Sequence, residues 1–275
     1  MLKKFNITDM NLYKSNNRFL KSFFVLKNEL NRLPTIEELS SIDHMHYNGI
    51  NTVNFAIKSA KLKANSCVLD IGSGVGGPAR YISYKTSARV YALEIQESLN
   101  EIGKYLTDEY NMNKKVKHIQ KDILLYKSRV KFDCAVSWLA LYHIPNHDFL
   151  FNKISSLLKV NGIFFSEDFF LKGNLSDLQK IKLSKNFYAN YLVDYKKYLN
   201  DLKKNGFKII SHKNMTDNWT KFTKKRLESY KSNMKKNSKL LGVNTCKNIL
   251  KFYELAHELL AKNILGGIRF ICKKK

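Results

Sequence analysis

The stretch VLDIGSGVGGP, residues 68–78, decides the fold, because a short apolar run leads directly into a glycine-rich turn. The apolar residues Val68–Ile71 predict a buried strand, and Pro78 stands where the first turn of a helix tolerates proline. Glycines between them permit positive φ angles and let the backbone approach a ligand closely. The stretch therefore predicts a strand, a ligand-binding turn and a helix, in that order.

Short apolar runs alternate with helix-like stretches after this turn. The further predicted strands are Val90–Ile95, Val116–Ile119, Phe132–Ser137 and Ile163–Ser166. Because parallel neighbours need crossover connections, this alternation predicts an α/β fold with a mostly parallel sheet and helices on both faces. Ligands bind beyond the carboxyl ends of the strands in such a sheet.

The C-terminal part departs from this alternation. Residues 175–202 read as helix, and the last two predicted strands, Phe207–Ile210 and Ile268–Cys272, flank a lysine-studded helical stretch over 218–260. We expect these strands to pair as neighbours, which completes a seven-stranded sheet, and the helices between them to form a lid.

The N-terminal part is predicted to be helical, with short helices over Leu20–Leu30 and Ile36–Leu39 and a polar turn at Asp43–Gly49. Met1–Lys27 is basic but lacks the arginine-rich, acid-poor composition of a transit peptide, so we treat it as part of the fold. The expected organisation is one domain over 1–275, with a helical segment at 1–60, a core at 61–170 and the lid and last strands at 171–275.

Composition limits the class of protein. Apolar residues make up 44% of the chain and only 3 residues are proline, which excludes a disordered chain. The four widely spaced cysteines show no metal-binding pattern, so we expect no metal site, free thiols and a cytoplasmic location. No apolar window is long enough to cross a bilayer.

The net charge of +25 raises the expectation of an anionic partner. Lysine supplies nearly all of this charge and is dispersed along the chain. We therefore favour a solvated basic surface over a nucleic-acid-binding stripe.

The glycine turn admits two interpretations. Gly72, Gly74 and Gly77 satisfy the dinucleotide pattern G-x-G-x-x-G, which is the alternative. Asp70, however, lies inside the strand where a dinucleotide fold usually has an apolar or small residue, and it resembles the first motif of class I S-adenosylmethionine-dependent methyltransferases. In that family the acid helps hold the cationic methionine end of the cofactor. The resemblance implies a Rossmann-like sheet with S-adenosylmethionine as cofactor.

Two further acids fall at the family's spacings. Glu94 ends the second predicted strand, where the resemblance implies a carboxylate that accepts hydrogen bonds from the ribose hydroxyls. Asp122 follows the third, where the family contacts adenine. The alternative is that Asp70 and Asp122 only cap helices. The resemblance spans about residues 68–168 and implies a cofactor site formed by Asp70, Gly72, Ser73, Gly74, Gly76, Glu94, Ile95, Gln96, Asp122, Ile123 and Ser137.

The flanks extend this resemblance. The segment DHMHYNG, residues 43–49, is similar to the D-Q-x-H-x-G-G segment of small-molecule methyltransferases of the sarcosine/dimethylglycine and phosphoethanolamine types, with His44 and Asn48 as departures. Residues 205–219 and 267–270 resemble the phosphoethanolamine enzymes of protozoan type. The resemblance implies an enzyme that methylates a small amine.

Three residues are candidates for catalysis. His143 follows the fourth predicted strand, where such enzymes have a histidine near the acceptor, and imidazole titrates in the range needed to take a proton. The alternative is a structural histidine at a helix end. His46 and Tyr47 lie in the segment expected to fold over the cofactor, where either side chain would orient the acceptor.

Other residues are weaker candidates for holding the acceptor. Glu167 and Asp168 follow the fifth predicted strand and would receive a cationic amine, or else cap the next helix. A lid stretch offers aromatic rings for a methylated ammonium, or for core packing, and lysines for a phosphate. These are Tyr188, Tyr191 and Tyr195, and Lys185, Lys196 and Lys197.

Two other functions remain open. An RNA or protein methyltransferase would use the basic surface, above all Lys221–Lys251, although the chain has no arginine cluster and SWLA, residues 137–140, replaces the Asn/Asp-Pro-Pro-Tyr signature. A non-enzymatic scaffold would keep the cofactor site within an assembly. The fold alone does not identify the acceptor atom.

Overall fold

The computed structural model describes residues 17–275, so the first sixteen residues of the predicted N-terminal helical segment lie outside it. Seven strands form one sheet in the order β3-β2-β1-β4-β5-β7-β6. They are β1 Cys67–Ile71, β2 Arg89–Glu94, β3 Val116–Gln120, β4 Phe132–Trp138, β5 Leu158–Leu171, β6 Phe207–Asn214 and β7 Leu265–Lys274.

The sheet is mostly parallel, as predicted. Strands β1 to β5 pair in parallel, and β7 is antiparallel to both β5 and β6. The expected pairing of the last two strands is therefore confirmed. Strand order reverses direction between β1 and β4, which opens a crevice at their carboxyl ends.

Eleven α-helices are present in the part of the chain that the structure describes. They are α1 Arg18–Leu30, α2 Ile36–Asp43, α3 Ile50–Ser59, α4 Gly77–Thr86, α5 Glu97–Glu109, α6 His147–Leu157, α7 Asp177–Phe187, α8 Tyr195–Lys204, α9 Thr216–Ser232, α10 Met234–Leu241 and α11 Val243–Ala261. A short 3-10 turn, Leu141–His143, follows β4. None of these helices is long and apolar enough to cross a lipid bilayer.

Both faces of the sheet are covered because alternate strand residues point to opposite sides. On one face Leu69 and Ala135 pack with α6 and α8. On the other, Val68 and Val136 pack with α3 and α4. The parallel strands are therefore buried on both faces, which explains their nearly continuous apolar sequences.

The lid differs from its sequence prediction in where its helices break. The helix predicted over 175–202 is two helices, since Tyr188 ends α7 in the left-handed region (φ 51°) and the Asp194 side chain caps α8. The stretch over 218–260 is three helices, which break at Asn233 and at Gly242 (φ 86°). Helix α3, which follows the predicted polar turn, was not anticipated.

Candidate functional site

One large cavity, about 670 Å³ in volume, lies in the crevice at the carboxyl ends of the strands. It is lined by the glycine turn after β1, by the segment Asp43–Tyr47, and by residues of α9, α10 and α11. A volume of this size is typical of small-molecule sites.

The glycine turn is fixed to the neighbouring strand β2. The amides of Gly72 and Ser73 both donate to the Leu93 carbonyl, at 2.9 and 3.0 Å. Gly72 has a φ of 69°, and an added Cβ there would lie 2.4 Å from the Ala140 Cβ. Both the backbone angle and the lack of space therefore require glycine at position 72.

Asp70 lies in β1, just before the glycine turn, and its side chain is buried. Its Oδ2 has no hydrogen-bond partner among the residues that the structure describes. Burial, with a smaller contribution from the nearby Glu94 charge, raises the pKa of Asp70 to about 8. A buried carboxyl with an unpartnered oxygen fits a cationic ligand, which would stabilise its ionised form. Its position inside a strand rules out the alternative helix-capping role.

Glu94 joins the turn to the end of β2. Its Oε2 accepts the Gly74 amide at 2.8 Å and its Oε1 accepts the Gln96 amide at 2.9 Å. Burial raises the pKa of Glu94, while these backbone bonds oppose the shift. Each carboxylate oxygen keeps further acceptor capacity, which fits two neighbouring hydroxyls of a ribose.

Most of the predicted cofactor residues line this one cavity. Asp122 does so while its Oδ1 accepts the Leu124 amide at 2.8 Å, so it also stabilises the local turn. The full set that the fold brings together is Asp70, Gly72, Ser73, Gly74, Glu94, Ile95, Gln96, Asp122 and Ile123.

Two predicted cofactor residues do not line the cavity. Gly76 lies beneath the turn, where an added Cβ would approach His118 Cε1 to 2.4 Å. The Ser137 hydroxyl donates to the Ile71 carbonyl at 2.9 Å and joins β4 to β1. In this structure both residues support the turn from outside the cavity.

A buried ion pair holds the segment Asp43–Tyr47 against the glycine turn. Arg80 on α4 is fully buried and donates to Asp43 Oδ2 at 2.9 Å and to the Val75 carbonyl at 2.6 Å. Sequence analysis did not single out Arg80. The signal available in the sequence was an arginine two residues after Pro78, together with the acid that begins the DHMHYNG segment.

His46 and Tyr47 line the cavity within an aromatic wall. The His46 ring stacks on Trp138 with centroids 5.3 Å apart, and its Nε2 lies 3.1 Å from the Gly49 carbonyl. Burial lowers the pKa of His46 well below its usual value. The Tyr47 ring packs edge-on against Trp219, with centroids 5.0 Å apart.

His143 ends the 3-10 turn after β4 and also lines the cavity. Its Nδ1 lies 3.2 Å from the Tyr188 carbonyl. Because a carbonyl only accepts, Nδ1 carries the proton in this bond and Nε2 keeps its lone pair. Burial lowers the pKa of His143 to about 4, so the ring is neutral at physiological pH.

The expected role of Glu167 and Asp168 at the site is wrong. Strand β5 continues to Leu171 alongside β7, so neither residue lies at a strand end. Glu167 forms a buried ion pair with Arg269, and Asp168 accepts a hydrogen bond from the Tyr198 hydroxyl at 2.8 Å. Both carboxyls therefore stabilise the interior of the sheet.

The lid tyrosines and lysines proposed from the sequence do not line the cavity either. Tyr195, for example, packs against Phe170 and contacts His212 Nδ1 through its hydroxyl at 2.8 Å. Tyr188, at the end of α7, contacts the cavity only indirectly, through its carbonyl and His143. The residues concerned are Tyr188, Tyr191, Tyr195, Lys185, Lys196 and Lys197.

Arg226 on α9 lines the cavity and was missed. It lies one and two turns beyond Phe222 and Trp219, so helical periodicity from the DNW motif was the signal that could have found it. It is a single arginine among several lysines. Because the charge of this stretch is dispersed, the sequence analysis did not distinguish Arg226 from its neighbours.

Comparisons with known proteins agree with this geometry. A family model described as a methyltransferase domain matches residues 44–212. Phosphoethanolamine N-methyltransferase of Plasmodium falciparum is 28% identical over 176 residues, 62% of this chain and 64% of the relative. Sterol 24-C-methyltransferase of Kluyveromyces lactis is 25% identical over 168 residues, 58% of this chain and 45% of the relative.

Sarcosine/dimethylglycine N-methyltransferase of Halorhodospira halochloris is 30% identical over 112 residues, 40% of each chain. This chain spans less than two thirds of the length of each of these three relatives. Among solved structures, phosphoethanolamine N-methyltransferase 2 of Haemonchus contortus with S-adenosyl-L-methionine has a TM-score of 0.81 at 19% identity, covering 97% of this chain and 58% of that one.

Proposed function

We propose that this chain, which belongs to the methyltransferase-domain family, binds S-adenosylmethionine and transfers its methyl group to a small-molecule amine. The observation that carries the proposal is the position of Asp70 and Glu94. Both buried carboxyls flank the glycine turn and face a lid-covered cavity that also contains His143.

The cofactor supplies an electrophilic methyl group when it is bound. Asp70 would hold its ammonium, and Glu94 would accept hydrogen bonds from its ribose hydroxyls. Asp122 and Ile123 would line the adenine end. The raised pKa of Asp70 and the spare acceptor capacity of Glu94 support these roles.

Methyl transfer is an in-line displacement, so this chain's contribution is to align the acceptor and exclude water. The aromatic wall of Tyr47, Trp138 and Phe252 supports the exclusion of water. His143, neutral with a lone pair on Nε2, would accept the proton that an amine loses. His46 and Tyr47 would orient the acceptor.

Polar side chains in the lid wall support an acceptor with polar groups. The lid contributes amide side chains from Asn237, Asn244 and Asn248, together with the guanidinium of Arg226. Two of the relatives are named for amine substrates, and others for methylation of sterol carbon. The polar groups of this wall lie beside the apolar Leu241, Ile249 and Phe252, and they favour an acceptor that has polar groups of its own.

The cellular setting is also part of the proposal. All four cysteines are free and buried, which supports action in the reducing cytoplasm. The partner we propose is the small-molecule acceptor rather than a nucleic acid.

Calorimetric titration with S-adenosylmethionine tests the cofactor site. Glu94→Gln removes the negative charge that would hold the ribose hydroxyls. We expect the affinity for the cofactor to fall about 10- to 100-fold, which corresponds to the free energy that hydrogen bonds to a charged group contribute. Glu101→Gln is the matched control, because this acid is exposed on α5, where it pairs with Lys104, and does not line the cavity. A wild-type protein that does not bind the cofactor, or a Glu94→Gln variant that binds it normally, would contradict the proposal.

A further inference from the structure

The lid helices include the most basic stretch of the chain. From Lys221 to Lys251 the sequence has ten basic residues and one acid, Glu228, whereas the whole chain has 48 basic and 23 acidic residues. All the lysines of this stretch are exposed. Like charges that are gathered on one surface repel each other, so this surface favours contact with an anionic partner.

Few of these lysines are neutralised within the protein. Lys231 pairs with Glu254 at 2.9 Å, and Lys236 lies 3.4 Å from Glu29. Among residues 17–275, no carboxylate pairs with the other lysines of the stretch. Most of the positive charge of the lid is therefore available to a partner.

Helix α10 has two faces of different character. Asn237 and Leu241 lie one turn apart and line the cavity. Lys235 and Lys239 precede them by two residues each, which is about 200° around a helix, so they lie on the opposite face. The basic face of α10 therefore points away from the cavity.

The apolar residues of α10 are only partly covered. None of its eight residues, all of which the structure describes, is fully buried, and Met234, Leu240 and Leu241 are half-buried. Val243, the first residue of α11, is 54% exposed. A short helix with lysines on one face and partly exposed apolar residues is typical of helices that lie in the surface of a lipid bilayer.

We propose that α10 and the start of α11 bind the surface of a bilayer that contains anionic phospholipids. Lys235, Lys239 and Lys247 contact the phosphate and carboxylate groups of the lipids, and Val243 enters the boundary between headgroups and acyl chains. Basic residues clustered on an amphipathic helix bind such surfaces. Lys247 follows Val243 by one turn, so both side chains reach the same surface. Because the other face of α10 lines the cavity, the bound protein has its cavity one helix away from the lipid.

The side chains of this surface fit a lipid better than a nucleic acid. Its exposed cations are lysines, since the one arginine of the stretch, Arg226, lines the cavity. Within α9 to α11, all of which the structure describes, no aromatic side chain is exposed. Surfaces that bind RNA stack its bases on aromatic rings and on guanidinium planes. An exposed valine among lysines supplies neither, but it suits the boundary of a bilayer.

Co-sedimentation of the full chain with lipid vesicles tests this inference. Vesicles of phosphatidylcholine alone are compared with vesicles of an equimolar mixture of phosphatidylcholine and phosphatidylserine, both at physiological salt. We expect the wild type to bind the mixed vesicles about tenfold or more tightly than the neutral ones. Neither cofactor nor acceptor is present, so the outcome does not depend on the proposed function.

Two variants locate the contact. Lys235→Gln, Lys239→Gln and Lys247→Gln together should weaken binding to the mixed vesicles about 100-fold, the effect expected of three lysines near an anionic surface. Val243→Ser should weaken it about three- to tenfold, because less apolar area is buried. All four side chains are exposed, so both variants should keep the circular dichroism spectrum of the wild type.

Matched controls make the same changes at the opposite edge of the sheet. Lys58, Lys63 and Lys114 precede β1 and β3, are exposed, and have no ion pair among residues 17–275. Lys58→Gln, Lys63→Gln and Lys114→Gln together should leave vesicle binding as in the wild type. Val160→Ser should do the same, since this valine is 68% exposed and lies near the start of β5.

The inference is overturned by absent or equal binding of the wild type to the two kinds of vesicle, or by unchanged binding of the lid triple variant. An equal loss in the two triple variants, or a Val243→Ser variant that binds like the wild type, would show general adsorption of a basic protein and would also overturn it. A mixed-sequence RNA is titrated under the same conditions. RNA binding that the lid triple variant loses, without preference for anionic vesicles, would assign the surface to nucleic acid instead.

Discussion

Asp70 and His143 face the same cavity, and burial shifts both side chains toward their neutral forms. For a carboxyl this means a raised pKa, and for an imidazole a lowered one. In the free protein at pH 7 the Asp70 carboxyl is therefore largely protonated, and a bound cation would favour its ionisation, while the His143 ring is neutral with a lone pair on Nε2.

The first prediction concerns proton release from Asp70. With a pKa of about 8, its carboxyl is largely protonated at pH 7 in the free protein. A bound ammonium stabilises the carboxylate, so we expect cofactor binding at pH 7 to release up to about one proton. Calorimetry in buffers of different ionisation enthalpy measures this release, and Asp70→Asn should abolish it. Equal release from the variant would contradict the assignment.

The same shift has a consequence for stability. In the unfolded chain the Asp70 carboxyl has its ordinary pKa of about 4, whereas in the folded chain its pKa is about 8. The free protein therefore loses stability as the pH rises between these values. Asp70→Asn should remove that loss, which urea denaturation at several pH values would show.

The second prediction concerns the pH dependence of catalysis by His143. Because its pKa is about 4, the ring is already deprotonated at pH 6. We expect no limb of the kcat/KM profile near the ordinary histidine pKa. His143→Gln should lower kcat about 10²- to 10⁴-fold, the usual contribution of a general base, and leave cofactor affinity unchanged. An acid limb near pH 6.5 that disappears in the variant would show an unshifted imidazole instead.

At the scale of elements, a buried ion pair docks the end of α2 onto α4, beside the contact of His44 with Tyr81. Arg80 and Asp43 are both almost fully buried, and their ion pair crosses from the segment to the helix after the glycine turn. Removing one partner of a buried pair leaves the other charge uncompensated.

We therefore predict that Asp43→Asn lowers the free energy of unfolding by about 3–5 kcal/mol. It should also weaken cofactor binding, because the segment covers the glycine turn. Arg32→Gln is the control, since its ion pair with Glu38 is exposed to solvent and should contribute little to stability. Urea denaturation of the three proteins measures the difference. A loss from Asp43→Asn no greater than that of the control would refute this docking role.

Elements also differ in how far the sequence predicts them. The strands and the glycine turn were predictable because apolar runs and turn residues are local signals. The placement of Glu167 was not, since its partner Arg269 lies 102 residues away on a strand that enters the sheet after the lid. Arg226 was missed although its helical spacing from Trp219 and Phe222 was a local signal, because lysines surround it in the sequence.

At the scale of the whole molecule, the lid is joined to the sheet at both ends. The chain leaves the sheet at β6, forms α9 to α11 and returns as β7, which lies between β5 and β6. Tyr47 and Phe169 share one apolar cluster with Trp219 of the lid. We propose that the chain folds as a single domain for this reason.

That organisation predicts one cooperative unfolding transition. Far-ultraviolet circular dichroism and the fluorescence of Trp138 and Trp219 should give the same urea midpoint, because core and lid share their contacts. Two separated midpoints would show that the lid unfolds independently.

The most direct measurement of the central claim is the release of S-adenosylhomocysteine by the purified protein. S-adenosylmethionine is supplied with sarcosine, dimethylglycine, phosphoethanolamine or RNA, each at physiological salt. We predict turnover with one small amine, loss of that turnover in His143→Gln, and no turnover with RNA. No release with the small amines, together with release on RNA, would contradict the account and assign the substrate to the basic surface.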